Sequence, residues 1–234
     1  MDDERNYRCI PLLRKQNEFS DEITWNKIRD AVIHFECEER ELKNYLISDA
    51  ISDWEADITK TFLLFWHNKL VGYFSLTIDN LIIVNEKDTE TVTALRISHI
   101  ARDSKFKGCM IGNQLMSFVY VIAYLISKGK LTDYFPPTDN MEYLMVEAKK
   151  GAIPYYLRNS FKITDTVSDI TKNICMYMSL TIMFMEMDKY YNEQHLDIFE
   201  KHPDNTIFTT KNYKRKDCKL SVNPIPLDEK LPEE

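Results

Sequence analysis

Glycine is scarce in this chain, at five residues in 234. So little of the residue that tolerates left-handed backbone excludes collagen-like and glycine-linker architectures, and it makes any close glycine pair informative. Cysteine is also sparse. Cys9, Cys37, Cys109, Cys175 and Cys218 are odd in number and scattered. With no CxxC and no Cys/His ligand spacing, neither a disulfide framework nor a zinc site is expected, and no metal ligand set is assigned. No apolar run approaches the roughly 20 residues of a membrane span. The start, MDDERNYRCI, is charged from its second residue instead of carrying the apolar segment of a secretory signal. The expectation is a soluble cytoplasmic protein without a membrane partner. No internal repeat is visible.

Apolar residues make up 44% and aromatic residues 12% of the chain, which suits a packed core. The length fits one domain plus an extension, with residues 1–181 as the domain and residues 182–234 as a C-terminal extension. The net charge of −7 is unevenly spread: residues 1–90 carry −8, residues 91–160 carry +4 and the remainder −3. The middle third is the natural home of an anionic ligand, and the acidic first third suits an amine. The ordinary alternative is uneven charge on a solvated surface.

Hydrophobic spacing predicts helix over residues 21–53, with one break. Residues 61–66 and 70–78 read as a hairpin about the polar turn His67-Asn68-Lys69. Gly72 lies inside its second strand, where a bulge or close backbone approach is common. Residues 81–84 read as a short strand, 85–90 as an acidic loop and 91–101 as another strand. A polar stretch then leads to an amphipathic helix over residues 111–128, closed by Gly129. Pro136-Pro137 marks a loop. Residues 141–148 read as a buried strand and 152–159 as a short helix with Pro154 near its start. Strands follow from Phe161 and over 174–180, then a helix over 183–199, the basic stretch 211–219 and a proline-rich, acidic tail that packs loosely or wraps the surface. The fold class is α/β: a mixed sheet of about six or seven strands flanked by helices, with a helical or irregular C-terminal extension.

SHIARDSKFKGCMIGNQLMSF (residues 98–118) runs from strand through polar loop into helix, with Gly108 and Gly112 at the junction. Glycines there bring backbone N–H groups close to a phosphate, and the helix N-terminus adds partial positive charge. Arg102, Lys105 and Lys107 add cations. This is a physically sensible diphosphate cradle.

Here the chain resembles the GNAT (Gcn5-related) N-acetyltransferase family, whose Gln/Arg-x-x-Gly-x-Gly/Ala turn grips the diphosphate of coenzyme A through backbone amides. Lys107-Gly108-Cys109-Met110-Ile111-Gly112 falls on that turn, with Met110 in the middle glycine place. YLMVEAKKGAIPYYLRNSFKI (residues 143–163) resembles the family's fifth strand and following helix. There Ala152, Ile153, Tyr156 and Phe161 are in register, and Ser160 replaces the usual glycine. FECEERELKNYLISDA followed by TFLLFWHNKLVGYFSLTI (residues 35–50 and 61–78) is similar to the branch containing acetyltransferase toxins of toxin–antitoxin pairs, which acetylate the amino group of aminoacyl-tRNA. The likeness spans about residues 30–180.

The resemblance implies acetyl-CoA as cosubstrate and direct transfer of its acetyl group to an amine. It places Ile100, Ala101, Arg102, Lys107, Gly108, Cys109, Met110, Ile111, Gly112 and Asn113 at the cofactor, and Tyr156 at its sulfur as general acid. Arg102 stands where the family commonly has an apolar residue. Arg96 stands where some members carry a glutamate base. That leaves His99 as a candidate base, with a structural histidine, a water chain or Glu147 as the alternatives. Cys109 has no partner at a spacing that would make it a nucleophile. The Met176–Met187 stripe reads as packing, and the 211–219 cluster as a solvated face.

Three functions follow. The first is an acetyl-CoA-dependent N-acetyltransferase of a small-molecule or protein amine. The second is the toxin variant with tRNA as acceptor, disfavoured by a pI near 5.4. The third is a turnover-deficient GNAT-like binding or regulatory protein. Sheet-edge dimers are common in the family, so a homodimer is a further expectation from the resemblance.

Overall fold

The apolar run expected as a hairpin forms β2 (Lys60–Trp66) and β3 (Lys69–Val84) in the computed structural model. The structure describes residues 7–12, 25–84, 89–138, 141–167, 173–194 and 208–209. His67 and Asn68 join the strands with φ of 46° and 59°. Two left-handed residues in succession match the twist of antiparallel strands, and no glycine is needed because the polar Asn tolerates that region. The register shifts at Leu64/Phe65, where Leu64 pairs with Gly72 and Phe65 with Leu70.

β3 does not stop near residue 78 as the sequence suggested. It runs sixteen residues and pairs with β4 (Thr89–Arg102) along its length. Asp79 stays in the ladder because it finds a cross-strand cation, Arg96 Nη1, at 2.8 Å. Of the expected acidic loop, residues 85–88 lie outside the described residues, and Thr89 and Glu90 belong to β4. The expected helix over 21–53 is three: α1 (Trp25–Ile33), α2 (Arg40–Ser48) and α3 (Ala50–Glu55), and residues 21–24 lie outside the described ones.

α4 (Ile111–Ser127) follows, with Gly129 in the left-handed region at φ +63° as its stop signal required. Then come β5 (Tyr143–Ala148), a single 3₁₀ turn, α5 (Ile153–Arg158), β6 (Lys162–Val167), β7 (Ile174–Ser179) and α6 (Thr181–Gln194). Two short strands were not foreseen. β1 (Tyr7–Pro11) pairs with β2, and β8 (Phe208–Thr209) pairs with β1. The sheet is thus eight-stranded among the described residues, in the order β6-β7-β5-β4-β3-β2-β1-β8, and mixed, since β4 and β5 are parallel. The remainder of helix 183–199 beyond Gln194, the basic stretch 211–219 and the tail lie outside the described residues.

Helices cover the sheet on both sides. The larger core packs α4 (Ile111, Leu115, Phe118, Val119, Ile122) and α5 against Phe74, Leu95, Ile97, Leu144 and Val146. The second sets Ile28, Phe35, Tyr45 and Leu46 on Leu63, Tyr73 and Ala101. α6 joins the first core through Met183 and is tied to α4 by Tyr124 Oη donating to Asp188 at 2.6 Å and by the Lys128–Asp188 ion pair at 2.8 Å. No helix among the described residues is long and apolar enough to cross a membrane.

Candidate active site

The parallel strands β4 and β5 pair only from Ala94↔Tyr143 to Ile97↔Val146. β4 then continues to Arg102 against β3 alone, and β5 to Ala148 against β7 alone. The parting begins at a bulge: Leu76 pairs with Ile97 and Ser75 with His99, so Ser98 is the extra residue. A bulge re-aims a strand and ends its pairing. Here it opens a fork at the carboxyl ends of two parallel strands, where open α/β sheets bind ligands. Ser98 Oγ, His99 Nδ1 and Arg102 Nε, all on the freed stretch of β4, are buried without a hydrogen-bond partner among the described residues. Such orphans call for a polar ligand or water.

Beyond the fork, a short 3₁₀ turn (Ser104–Phe106) delivers the chain to the glycine-containing turn. Gly108 has φ +86° and Met110 φ +54°, ψ +21°. Met110 stands in the place that the family fills with glycine, and its backbone keeps the glycine-like conformation. Its side chain is 54% exposed. The amides of Cys109 and Asn113 are used, donating to Phe106 O at 3.2 Å and Met110 O at 3.0 Å. Those of Gly108, Met110, Ile111 and Gly112 make no hydrogen bond among the described residues. Four amides across the turn and the first residues of α4 are thus unpartnered, whereas those of Cys109 and Asn113, both in the set expected at the cofactor, are engaged within the chain. This donor set fits a diphosphate.

A non-glycine residue at positive φ costs about 1 kcal/mol. Met110→Gly is accordingly expected to raise stability by about 0.5–1 kcal/mol without weakening phosphate binding, as read by urea denaturation. Ser160, the second departure from a family glycine, also keeps a left-handed backbone, at φ +66°.

Ile111 is fully buried as the first residue of α4. Ile100 is half-buried against the larger core, while Ala101 is buried in the smaller one. Arg102 Nη2 lies 3.7 Å and Lys107 Nζ 2.9 Å from Glu38 Oε1. Cys109 is exposed, and no disulfide occurs among the described cysteines. No group of three His, Cys, Asp or Glu side chains suited to a metal occurs among the described residues.

α5 docks onto this turn directly. Tyr155 Oη donates to Gly112 O at 2.7 Å, and a Cβ on Gly112 would lie 3.2 Å from the Tyr155 ring. Gly112 thus lets α5 pack closely on the start of α4. Tyr155 was not among the residues expected at the site. The small residue opposite it was the one available signal. Tyr156, next along, is 4% exposed, with its ring edge-on to Phe161 at 5.3 Å and to Tyr155 at 5.1 Å. A Schellman turn fixes its backbone: Phe161 N donates to Tyr156 O at 3.1 Å and Ser160 N to Leu157 O at 3.0 Å. Burial pushes the Tyr156 phenol well above its ordinary range, so it stays protonated. Tyr156 shares one apolar cluster with Ile111 and Leu115, at the beginning of α4.

His99 stacks on Tyr45, with ring centroids 3.5 Å apart. Burial, then the Arg96 charge, lowers its pKa to about 4. A group that binds its proton so weakly makes a poor base at neutral pH, where a value near 7 serves best. It has a thermodynamic signature instead. Unfolded, His99 takes a proton below about 6.5, whereas folded it does so only near 4. Stability is complete above about 6.5 and falls as pH drops toward 4, by about 2 kcal/mol after allowance for partial exposure. His99→Phe, which keeps a ring on Tyr45, is expected to flatten that slope in denaturation curves taken from pH 7 to 4.

No family model matches the chain, and no curated protein matches it. Solved structures do. The chain is similar to AtaT complexed with acetyl-methionyl-tRNAfMet, at 12% identity and TM-score 0.58, covering 77% of this chain and 99% of that one. It is similar to a tyrosine-to-phenylalanine mutant of the AtaT toxin bound to the C-terminus of the antitoxin AtaR and acetyl-CoA, at 15% identity and TM-score 0.51, covering 66% and 88%. The KacTA–DNA complex matches at 16% identity and TM-score 0.54, covering 80% and 99%.

Proposed function

On the premise that the chain has the GNAT fold, we propose that it is an acetyl-CoA-dependent N-acetyltransferase. The observation carrying this is the run of unpartnered amides at Gly108 and Met110–Gly112, with α5 and its Tyr156 docked onto the same turn through Tyr155. Acetyl-CoA supplies an acetyl thioester. The four amides, with Lys107 and Arg102 beside them, bind its diphosphate. The freed edge of β4 from Ser98 to Arg102 takes the arm that enters the fork, with the main-chain N–H groups of Ile100 and Arg102, which alternate with the Ala101 amide turned toward β3, available to a developing oxyanion. Tyr156 holds a proton at its hydroxyl and gives it to the departing thiolate. The acceptor amine must arrive neutral and lose a proton as the amide bond forms. His99 is ill suited to take it, and a water chain to solvent serves. The thiol product and the amide balance the reaction without a covalent enzyme intermediate or metal. The cytoplasm is the proposed compartment.

A second reading concerns the acceptor. The likeness to AtaT complexed with acetyl-methionyl-tRNAfMet favours the amino group of an aminoacyl-tRNA, with an antitoxin as protein partner by the same analogy. The net charge of −7 weighs against a large phosphate-binding surface. An assay of free thiol release, run with polyamines, lysine peptides and aminoacyl-tRNA in parallel, separates the readings. Thiol release that depends on any amine supports the transferase, and its confinement to aminoacyl-tRNA selects the toxin variant. Absence of release with every acceptor, under conditions where acetyl-CoA binds, contradicts both.

A further inference from the structure

The connector between α1 and α2 is fastened to the exit of β4. Ser104 N donates to Glu36 O at 2.7 Å, Glu36 N to Asp103 Oδ2 at 3.3 Å, and Lys105 Nζ to His34 O at 3.3 Å. Asp103 is buried and also accepts from Lys105 N at 2.8 Å. From this anchored base the acidic run Glu38-Glu39-Arg40-Glu41 reaches in two directions. Glu38 Oε1 sits 2.9 Å from Lys107 Nζ and 3.7 Å from Arg102 Nη2. Glu39 and Glu41 hold Lys149 Nζ at 3.0 and 2.7 Å. Arg102 ends β4 and Lys149 follows the last residue of β5. One short segment therefore ties together, ionically, the two strand ends that no ladder joins.

We infer that this segment is a displaceable latch across the fork, with Glu38 standing on Lys107 and Arg102 in place of the diphosphate. The inference rests on the cofactor reading above. The two cations beside the unpartnered amides are the ones a diphosphate needs, and a carboxylate already neutralises them. The pairs are half-exposed, so each is weak and exchanges readily. That suits a contact which must yield to a ligand of higher charge. When the diphosphate takes Lys107 and Arg102, Glu38 is released, and the Lys149 pairs together with the anchored base at Glu36 still hold the segment.

The test is calorimetric titration of the full chain with acetyl-CoA and with acetyl-pantetheine, which lacks the diphosphate, using wild type, Glu38→Gln and Glu38→Ala. Both variants are expected to bind acetyl-CoA about threefold more tightly than wild type, the scale of an exposed ion pair. Acetyl-pantetheine affinity should not change. The variants should also lose acetyl-CoA affinity more steeply with added salt, because in wild type salt weakens the internal competitor too. Wild-type binding with equal or weaker binding by the variants overturns the latch alone. So does a gain shared by both ligands. Failure of wild type to bind acetyl-CoA at millimolar concentration overturns the cofactor reading, and the latch with it.

Discussion

Tyr156→Phe lowers kcat for acetyl transfer by about a hundredfold or more, the usual range for loss of a positioned general acid, while acetyl-CoA affinity and thermal stability stay close to wild type. The phenylalanine ring keeps the edge-to-face contacts with Phe161 and Tyr155 at 5.3 and 5.1 Å. No hydrogen bond is lost, because none holds the Tyr156 hydroxyl among the described residues. Tyr155→Phe is the contrasting variant. It removes the 2.7 Å hydroxyl bond to Gly112 O, costs about 1 kcal/mol of stability and leaves most of kcat. Steady-state kinetics with thermal melts on both variants make the comparison. A kcat loss as large in Tyr155→Phe, or none in Tyr156→Phe, removes the general-acid role.

The largest stability effect is expected at Gly72. A Cβ there would lie 2.8 Å from Ala101 O and 2.9 Å from Leu115 Cδ1. The first neighbour is the backbone of β4 within the fork, and the second is a fully buried side chain in the second turn of α4. Neither yields cheaply in a close-packed interior. Gly72→Val is expected to cost about 3 kcal/mol, at the upper end for overpacking, which lowers Tm by roughly 6–12 °C in a domain of this size. The strain pushes α4 away from β4, so acetyl-CoA affinity falls as well. An unchanged Tm shows that the close approach of β3, β4 and α4 is wrong.

Elements long enough to show a period were legible. The β2–β3 turn, α4, α5 and β7 lie within a residue or two of their expected places; α4 is the clearest, because its apolar positions repeat over seventeen residues. β1, with five residues, and β8, with two, are too short for a period to declare itself. The continuity of β3 through Asp79-Asn80 depended on Arg96 across the sheet, and no local signal reports that.

At the candidate site the Gly108–Gly112 turn could be read because glycine is rare and local geometry demands it. The left-handed backbone at Met110 and Ser160 was visible only through the family register of those positions. The bulge at Ser98 arises from how β4 pairs with strands on either side, a relation between distant segments. The same holds for His99 under Tyr45 and for the latch, where Glu38 and Lys107 are 69 residues apart and Glu39 and Lys149 are 110 apart. Burial by a remote element displaced the His99 pKa, which the residue's ordinary value could not anticipate.

Everything about the proposed chemistry depends on main-chain donors at the beginning of α4 receiving a diphosphate. Amide chemical shifts recorded while acetyl-CoA is titrated into isotopically labelled protein test that most directly. The expected result is saturable binding with the largest shifts at the amides of Gly108, Met110, Ile111 and Gly112. Shifts centred elsewhere, or none at millimolar acetyl-CoA, contradict it.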